Sequence, residues 1–339
     1  MEGGLIMVEH YIDQILEKVD VEHMKSWSFA NGFLQKAIFE LYRATNKDKY
    51  FDFSTQYYQT IIHEDGLLPA DVGLNEACMA GLALFDVYEY TELEQYSEVL
   101  NQIALRIATA FQQETSIFLV EPIPLLKQAY PILLFYAKYG HLKQDPSILE
   151  AVKTELLAIH KRFYNKQVKL YSLTSNQEAP VFWLGGMAYL AMLFVDICEF
   201  YPDPVLVQLF SELIEGLDAM KRNYLWFQIV NEFGEKSNYP EVSGSLMVCY
   251  AYLKGAKLNL LSQKYYIIGV DIFHIIRSKY FIEEKEEWHL KEIAPCSQSN
   301  LDFSQKETFY QLPKQDNDIE GVAPLILVYA QLKKVQKII

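Results

Sequence analysis

The stretch LWFQIVNEFGEKSNYPEVSGSLMVCYAYLKG, residues 225–255, sets Trp226, Gln228, Tyr239, Glu241, Ser243 and Ser245 just ahead of an apolar helix. These residue types suit sugar recognition, because flat rings cover the apolar face of a pyranose while amide, carboxylate and hydroxyl groups take its hydroxyls from the side. The same run also reads as a polar loop feeding Ser-Gly-Ser into a helix from Leu246 to Lys254, where hydroxyls cap the first free N–H groups. That helix carries apolar residues nearly all round, the pattern of a helix enclosed on every side.

Others of the same kind flank it. Met187 to Val195 reads apolar throughout, whereas Ile148 to His160 is amphipathic with Glu150, Lys153 and Glu155 facing outward. Two concentric helix rings follow. A repeat supports them: Tyr42, Thr45 and Tyr50 recur as Tyr88, Thr91 and Tyr96, each offset by 46 residues (88−42, 91−45, 96−50), the spacing of a helical hairpin. In each copy an apolar helix ends near Tyr-x-x-Thr and a second begins after it. Further helix ends fall at Tyr136 to Gly140, Cys198 to Pro202, Tyr252 to Gly255 and Tyr329 to Lys333, with Gly140, Pro202 and Gly255 as stop signals, giving six candidate inner helices. Residues 165–172 and 225–230 are candidate short extended pieces at one barrel mouth. A bundle or α-solenoid of the same helices is the alternative arrangement.

With 339 residues, 51% of them hydrophobic, the chain is long enough to bury one large core, and no Gly/Ser/Pro-rich stretch divides it, so a single domain over 1–339 is expected. A net charge of −14 with scattered lysines argues against a nucleic-acid partner. The segment Met1 to Glu9 lacks a basic n-region and a secretory h-region, so a cytoplasmic protein without a membrane span is expected. Cys78, Cys198, Cys249 and Cys296 form no C-x-x-C pair and imply no disulfide framework. The seven histidines show no metal-ligand spacing, Gly185-Gly186 is no dinucleotide loop, and Ser243-Gly244-Ser245 is no nucleophile elbow, so neither metal nor cofactor is expected. Glu283 to Glu287 and Lys314 to Asp318 read as solvated loops.

The opening stretch closely resembles the "asparagine-aromatic-x-glutamate-x-serine-glycine-serine" segment of the unsaturated rhamnogalacturonyl and glucuronyl hydrolases, glycoside hydrolase families 105 and 88. The similarity continues in Trp27 to Gly32 with Leu41 to Thr45, in Ala80-Gly81-Leu82 with Tyr88 to Thr91, and in Phe135 to Tyr139, and so covers the chain from about Trp27 to Lys333. The resemblance implies an all-α (α/α)6 barrel, with short strands in loops at one mouth. It also implies an enzyme that removes a Δ4,5-unsaturated uronic acid from lyase-generated disaccharides. In the family a central Asp protonates C4 of the unsaturated ring while water adds at C5.

The chain departs from the family at its chemical positions. The acid position falls on Lys127, and an ammonium of ordinary pKa about 10.4 is a poor acid at neutral pH. A family histidine corresponds to Leu173, an arginine to Gly185, a tryptophan to Tyr189 and a second histidine to Glu320. The second family Asp aligns with Glu76, or with Asn75 if Leu74 is the anchor; Glu76 either polarises a water or is a carboxylate placed to favour the dipole of a helix N-terminus. Trp27, Trp183, Tyr189, Trp226 and Tyr239, with Glu241, sit at or near family positions that line the mouth, with core packing as the other reading of each ring. The expected partner is an oligosaccharide, with the oligomeric state open. Two readings stand: a divergent hydrolase with altered acid placement, supplied by a carboxylate such as Glu121 or Glu178, or a catalytically inactive sugar-binding or regulatory relative. A structural interaction protein without a sugar ligand is a third.

Overall fold

The computed structural model describes residues 2–19, 23–113, 125–175, 178, 180–295 and 306–336. In chain order its helices are α1 (Glu2–Lys18), α2 (Phe29–Thr45), α3 (Asp48–Ile61), α4 (Leu74–Gly81), α5 (Leu84–Thr91), α6 (Glu94–Gln113) and α7 (Leu125–Lys143). There follow α8 (Pro146–Phe163), α9 (Leu184–Cys198), α10 (Pro204–Met220), α11 (Val242–Lys257), α12 (Lys264–Tyr280), α13 (Lys306–Tyr310) and α14 (Ile319–Gln336). Helix α2 packs on α4, α4 on α7, α7 on α9, α9 on α11, α11 on α14, and α14 returns to α2, which closes an inner ring of six, with α5 continuing α4. Helices α3, α6, α8, α10 and α12 form the outer layer, and α1 joins it against α14, where the Tyr329 hydroxyl donates to Glu9 at 2.9 Å. This is the expected barrel. Among the described residues no helix is long and apolar enough to cross a membrane.

The sequence explains the layers. Every residue of α9 except Gly185 is buried, as an inner helix requires. On the outer α3 the buried side chains are Tyr50, Ser54, Tyr57, Tyr58 and Ile61, a single stripe at helical spacing. The repeated Tyr-x-x-Thr is a helix terminator. Thr45 and Thr91 each turn a hydroxyl back onto the carbonyl four residues earlier at 2.8 Å. Asn46 and Glu92 then take left-handed φ values of 57° and 54°, their N–H groups closing on the carbonyls of Tyr42 and Tyr88. Helices α2 and α4 approach so closely that a Cβ on Gly32 would stand 2.3 Å from the Ala80 nitrogen.

Four local expectations are corrected. Helices α7 and α11 run through Gly140 and Gly255; those glycines make room for Ile148 and for Leu261 with Phe210, and the turns fall at Gln144 and Asn259, both at positive φ. Glu155 is buried on α8 and does not face solvent. The run at 283–287 is a hairpin: strand β3 (Phe281–Glu284) pairs with β4 (Glu287–Leu290) across Lys285 and Glu286, which share the positive φ of a tight two-residue turn, and Phe281 stacks on Trp288 at 4.9 Å. Helix α11 begins at Val242, not Leu246. In the segment at 165–172, Tyr164 pairs with Tyr171 and Asn165 with Leu170, and residues 226–229 form bridges to Pro240 and Trp183.

Candidate functional site at the inner-helix N-termini

The inner helices run parallel, since their first turns meet one another at one mouth and their last turns meet at the other. The first mouth is where Lys127, in the first turn of α7, meets Glu320, in the first turn of α14. The ammonium lies 2.6 Å from the carboxylate and both side chains are buried, at 8% and 7% exposure. The Lys127 Nζ also sits 4.7 Å from the centroid of Phe29, at the start of α2, and 5.7 Å from that of Tyr189 on α9. Tyr189 in turn is ringed by Phe29, Phe33 and Tyr130 at 5.6–5.9 Å between centroids. Two residues far apart in sequence thus form an ion pair held in an aromatic box. Next to it, Asp318 accepts the Glu320 N–H at 2.8 Å, and burial, aided by the charge of Glu320, raises its carboxyl above the ordinary range.

A second feature of this mouth is the ring of Trp183. A Cβ on Gly185 would stand 2.4 Å from that ring, which folds over Gly185 and Gly186, so no side chain fits at position 185 while the ring lies there. The Trp183 ring also meets Phe309 of α13 at 5.1 Å, and the Phe309 carbonyl accepts the Tyr239 hydroxyl at 3.3 Å. Trp183 and Tyr239 are thus brought together, whereas Leu173 is buried core.

Other expected site residues stand elsewhere. Trp226 is fully enclosed, donating its ring N–H to the Leu217 carbonyl at 2.6 Å and meeting Tyr252 edge-on; it is a core ring of the α10–α11 junction, not a cleft wall. Glu241 is the cap of α11 in place of the serines: its carboxylate accepts the Ser243 and Gly244 N–H groups at 2.9 and 2.5 Å and the Ser243 hydroxyl at 2.8 Å. Burial holds its carboxyl above the ordinary range despite those bonds. Gln228 and Ser245 are buried in support of this loop, Ser245 bridging the Glu241 carbonyl and the Trp226 N–H. Trp27 is half-buried and donates weakly to the Ile61 carbonyl, 3.4 Å away. Glu76 lies in the first turn of α4 with its carboxylate turned back over Gly73. Glu121 lies outside the described residues, and Cys296 with it. Among the described residues no group of His, Cys, Asp and Glu has the arrangement of a metal site.

Comparison with known proteins accords with this architecture. A sequence model of Glycosyl Hydrolase Family 88 matches residues 7–336. The chain belongs to that family. It is 24% identical over 225 residues to the 24.9 kDa protein in the picA locus of Rhizobium radiobacter, covering 59% of this chain and 97% of that one. Among solved structures it is similar to a family 105 glycoside hydrolase of C. acetobutylicum, at TM-score 0.83 and 21% identity over 96% of this chain and 98% of that one. It is also similar to the unsaturated glucuronyl hydrolase of Bacillus sp. GL1 responsible for glycosaminoglycan degradation, at TM-score 0.66 and 12% identity, with 91% and 87% covered.

Phe29 and Asp318 lie inside sequence motifs that assign them no role, and Phe309 lies in none. A signal was present for Asp318, since an acid two residues before Glu320 at a helix start shares its surroundings. Nothing local marks Phe309.

Proposed function

We propose that this family 88 chain binds an oligosaccharide at the N-terminal mouth without hydrolysing it. The observation that carries the reading is the buried Lys127–Glu320 pair at 2.6 Å, at the position where the family resemblance puts the acid. Proton delivery to C4 of an unsaturated ring needs a carboxylic acid facing the sugar. Here the position holds an ammonium whose proton is engaged by a carboxylate and whose open faces are covered by rings. Glu241, the other buried carboxylate of the motif, is committed to capping α11.

Binding is supported by two polar atoms that have no hydrogen-bond partner among the described residues, the Trp183 ring nitrogen and Asn75 Oδ1 in the first turn of α4. Both are buried, and such atoms are normally satisfied. A sugar hydroxyl both accepts and donates. The site has also lost the bidentate donor that favours a carboxylate, so neutral oligosaccharides are the preferred class.

The test is incubation with unsaturated disaccharides from pectin and glycosaminoglycan, following absorbance of the ring double bond, alongside calorimetric titration with their saturated neutral analogues. Saturable binding without loss of absorbance is expected. Turnover of order 1 per second or more overturns the reading. A second reading has its own observation in the raised carboxyl of Asp318, which is a candidate acid displaced by one helix start. It requires measurable turnover that Asp318→Asn abolishes.

A further inference from the structure

A cavity of about 860 Å³ lies not at this mouth but at the opposite one, where the inner helices end. Its floor is a charge network. Asp196, at the end of the apolar α9, accepts Lys254 at 2.7 Å, Lys36 at 3.0 Å and the hydroxyls of Tyr250 and Tyr130 at 2.7 and 3.0 Å. One wall adds Asp86, held by Arg43 at 2.6 Å and Lys138 at 3.1 Å. Against the burial that would raise them, Lys254 and Lys36 hold the Asp196 carboxyl down to about 2, and Lys334, Lys254, Lys36 and Arg43 hold Glu40 well below the ordinary range. Burying this many charges brings little net stability, because desolvation consumes most of the attraction and apolar replacements are commonly as stable. A cavity of small-molecule size over such a floor has the makeup of a ligand site.

The chemistry of the ligand follows from what is left over. Each lining cation is engaged by a carboxylate, whereas Glu89, 74% exposed and 3.9 Å from Arg43, and Glu199, 44% exposed with one oxygen on Lys254 at 2.7 Å, each keep an oxygen with no partner among the described residues, and Glu92 is exposed beside them. The lining carries Glu40, Asp86, Glu89, Glu92, Asp196 and Glu199 against Lys36, Arg43, Lys138 and Lys254, and a carboxylate surplus remains when Lys334, which reaches Glu40 from α14, is counted. The carbonyl ends of the inner helices add negative potential at this mouth. Phe85, whose ring already carries the Lys138 ammonium at 5.3 Å, and Phe200 supply apolar surface in the lining. We infer that the C-terminal mouth is a second ligand site, independent of the sugar mouth, that takes a small linear organic polyamine, with its ammonium groups on Glu89 and Glu199 and its methylenes over the rings.

The experiment is calorimetric titration of the full chain with spermidine at low ionic strength. The arms are the wild type, the rim variant Glu89→Gln/Glu199→Gln, and Glu286→Gln in the exposed β3–β4 turn as a control for general attraction to an acidic protein. Both rim side chains project outward enough for the fold to be retained, which circular dichroism checks. Saturable 1:1 binding weakened tenfold or more by the rim variant and unchanged by the control is the expected result. The inference is overturned by no saturable binding, by equal weakening in the control, by magnesium displacing spermidine at equal concentration, or by glucuronate binding the same cavity more tightly than spermidine.

Discussion

Lys127 with Glu320 and Lys254 with Asp196 are both buried ammonium–carboxylate pairs, at 2.6 and 2.7 Å, yet they stand at opposite mouths in opposite company. The first is packed by the rings of Phe29 and Tyr189. The second is one link in a network in which Asp196 serves two lysines and two tyrosines and opens onto a cavity. The contrast teaches that a buried charge has to be judged by its neighbours. The ring-packed pair is closed off by its neighbours, while the networked one holds a polar floor under a solvent-accessible space. Potential differs as well, since the helix N-termini of the first mouth favour anions and the C-termini of the second favour cations.

The sharpest way to break this contrast is Asp196→Ala, which leaves two buried lysines without their shared counter-ion. A loss of about 3 to 5 kcal/mol in denaturant unfolding is expected. A loss below about 1 kcal/mol would mean that the network is relieved by water and is no structural node. At the other mouth Lys127→Ala takes the ammonium from a buried carboxylate and is expected to cost about 3 kcal/mol, whereas the double replacement Lys127→Met/Glu320→Leu returns stability to within about 1 kcal/mol of the wild type. If the double variant were as unstable as the single one, the pair would be more than a local exchange.

Acid titration sharpens the same comparison. The Asp196 carboxyl is depressed in the folded chain from an ordinary 3.8 to about 2. Its contribution is therefore fully present above about pH 4 and is lost as pH falls toward 2, a change on the order of 2 kcal/mol. Glu40 is depressed as well and acts in the same direction. Asp196→Asn should flatten this limb of the stability profile; an unchanged limb would assign it to other carboxylates. The smallest effect is expected at Glu76, whose carboxylate lies over the N-terminus of α4: Glu76→Gln should cost about 0.5 kcal/mol, screened by salt, and leave sugar binding unchanged. A loss of binding would make Glu76 part of the sugar site.

Much of the fold is written locally. The Tyr-x-x-Thr repeat reads as a helix end because a threonine hydroxyl and a left-handed cap are properties of one turn, and Thr45 and Thr91 form that turn alike. The apolar run of α9 announces an inner helix. Local pattern fails where a residue serves a partner outside its own turn. Gly140 and Gly255 look like stops but make room for side chains of other segments. Trp226 looks like a sugar platform and is a core ring, because the Leu217 carbonyl that takes its N–H belongs to the preceding helix.

The sequence by itself determined the helical hairpins and the family, since each rests on spacing within a few turns or on motifs of neighbouring residues. Only the tertiary structure decided that Lys127 and Glu320, 193 residues apart, answer each other's charge. It likewise decided that Trp183 fills the space above Gly185 and that Lys36, Asp196 and Lys254 converge under one cavity. The physical reason is ring closure: when α14 returns to α2, side chains from separate helices share one dry interior, and there a charge must find its partner across the barrel, which no local spacing records.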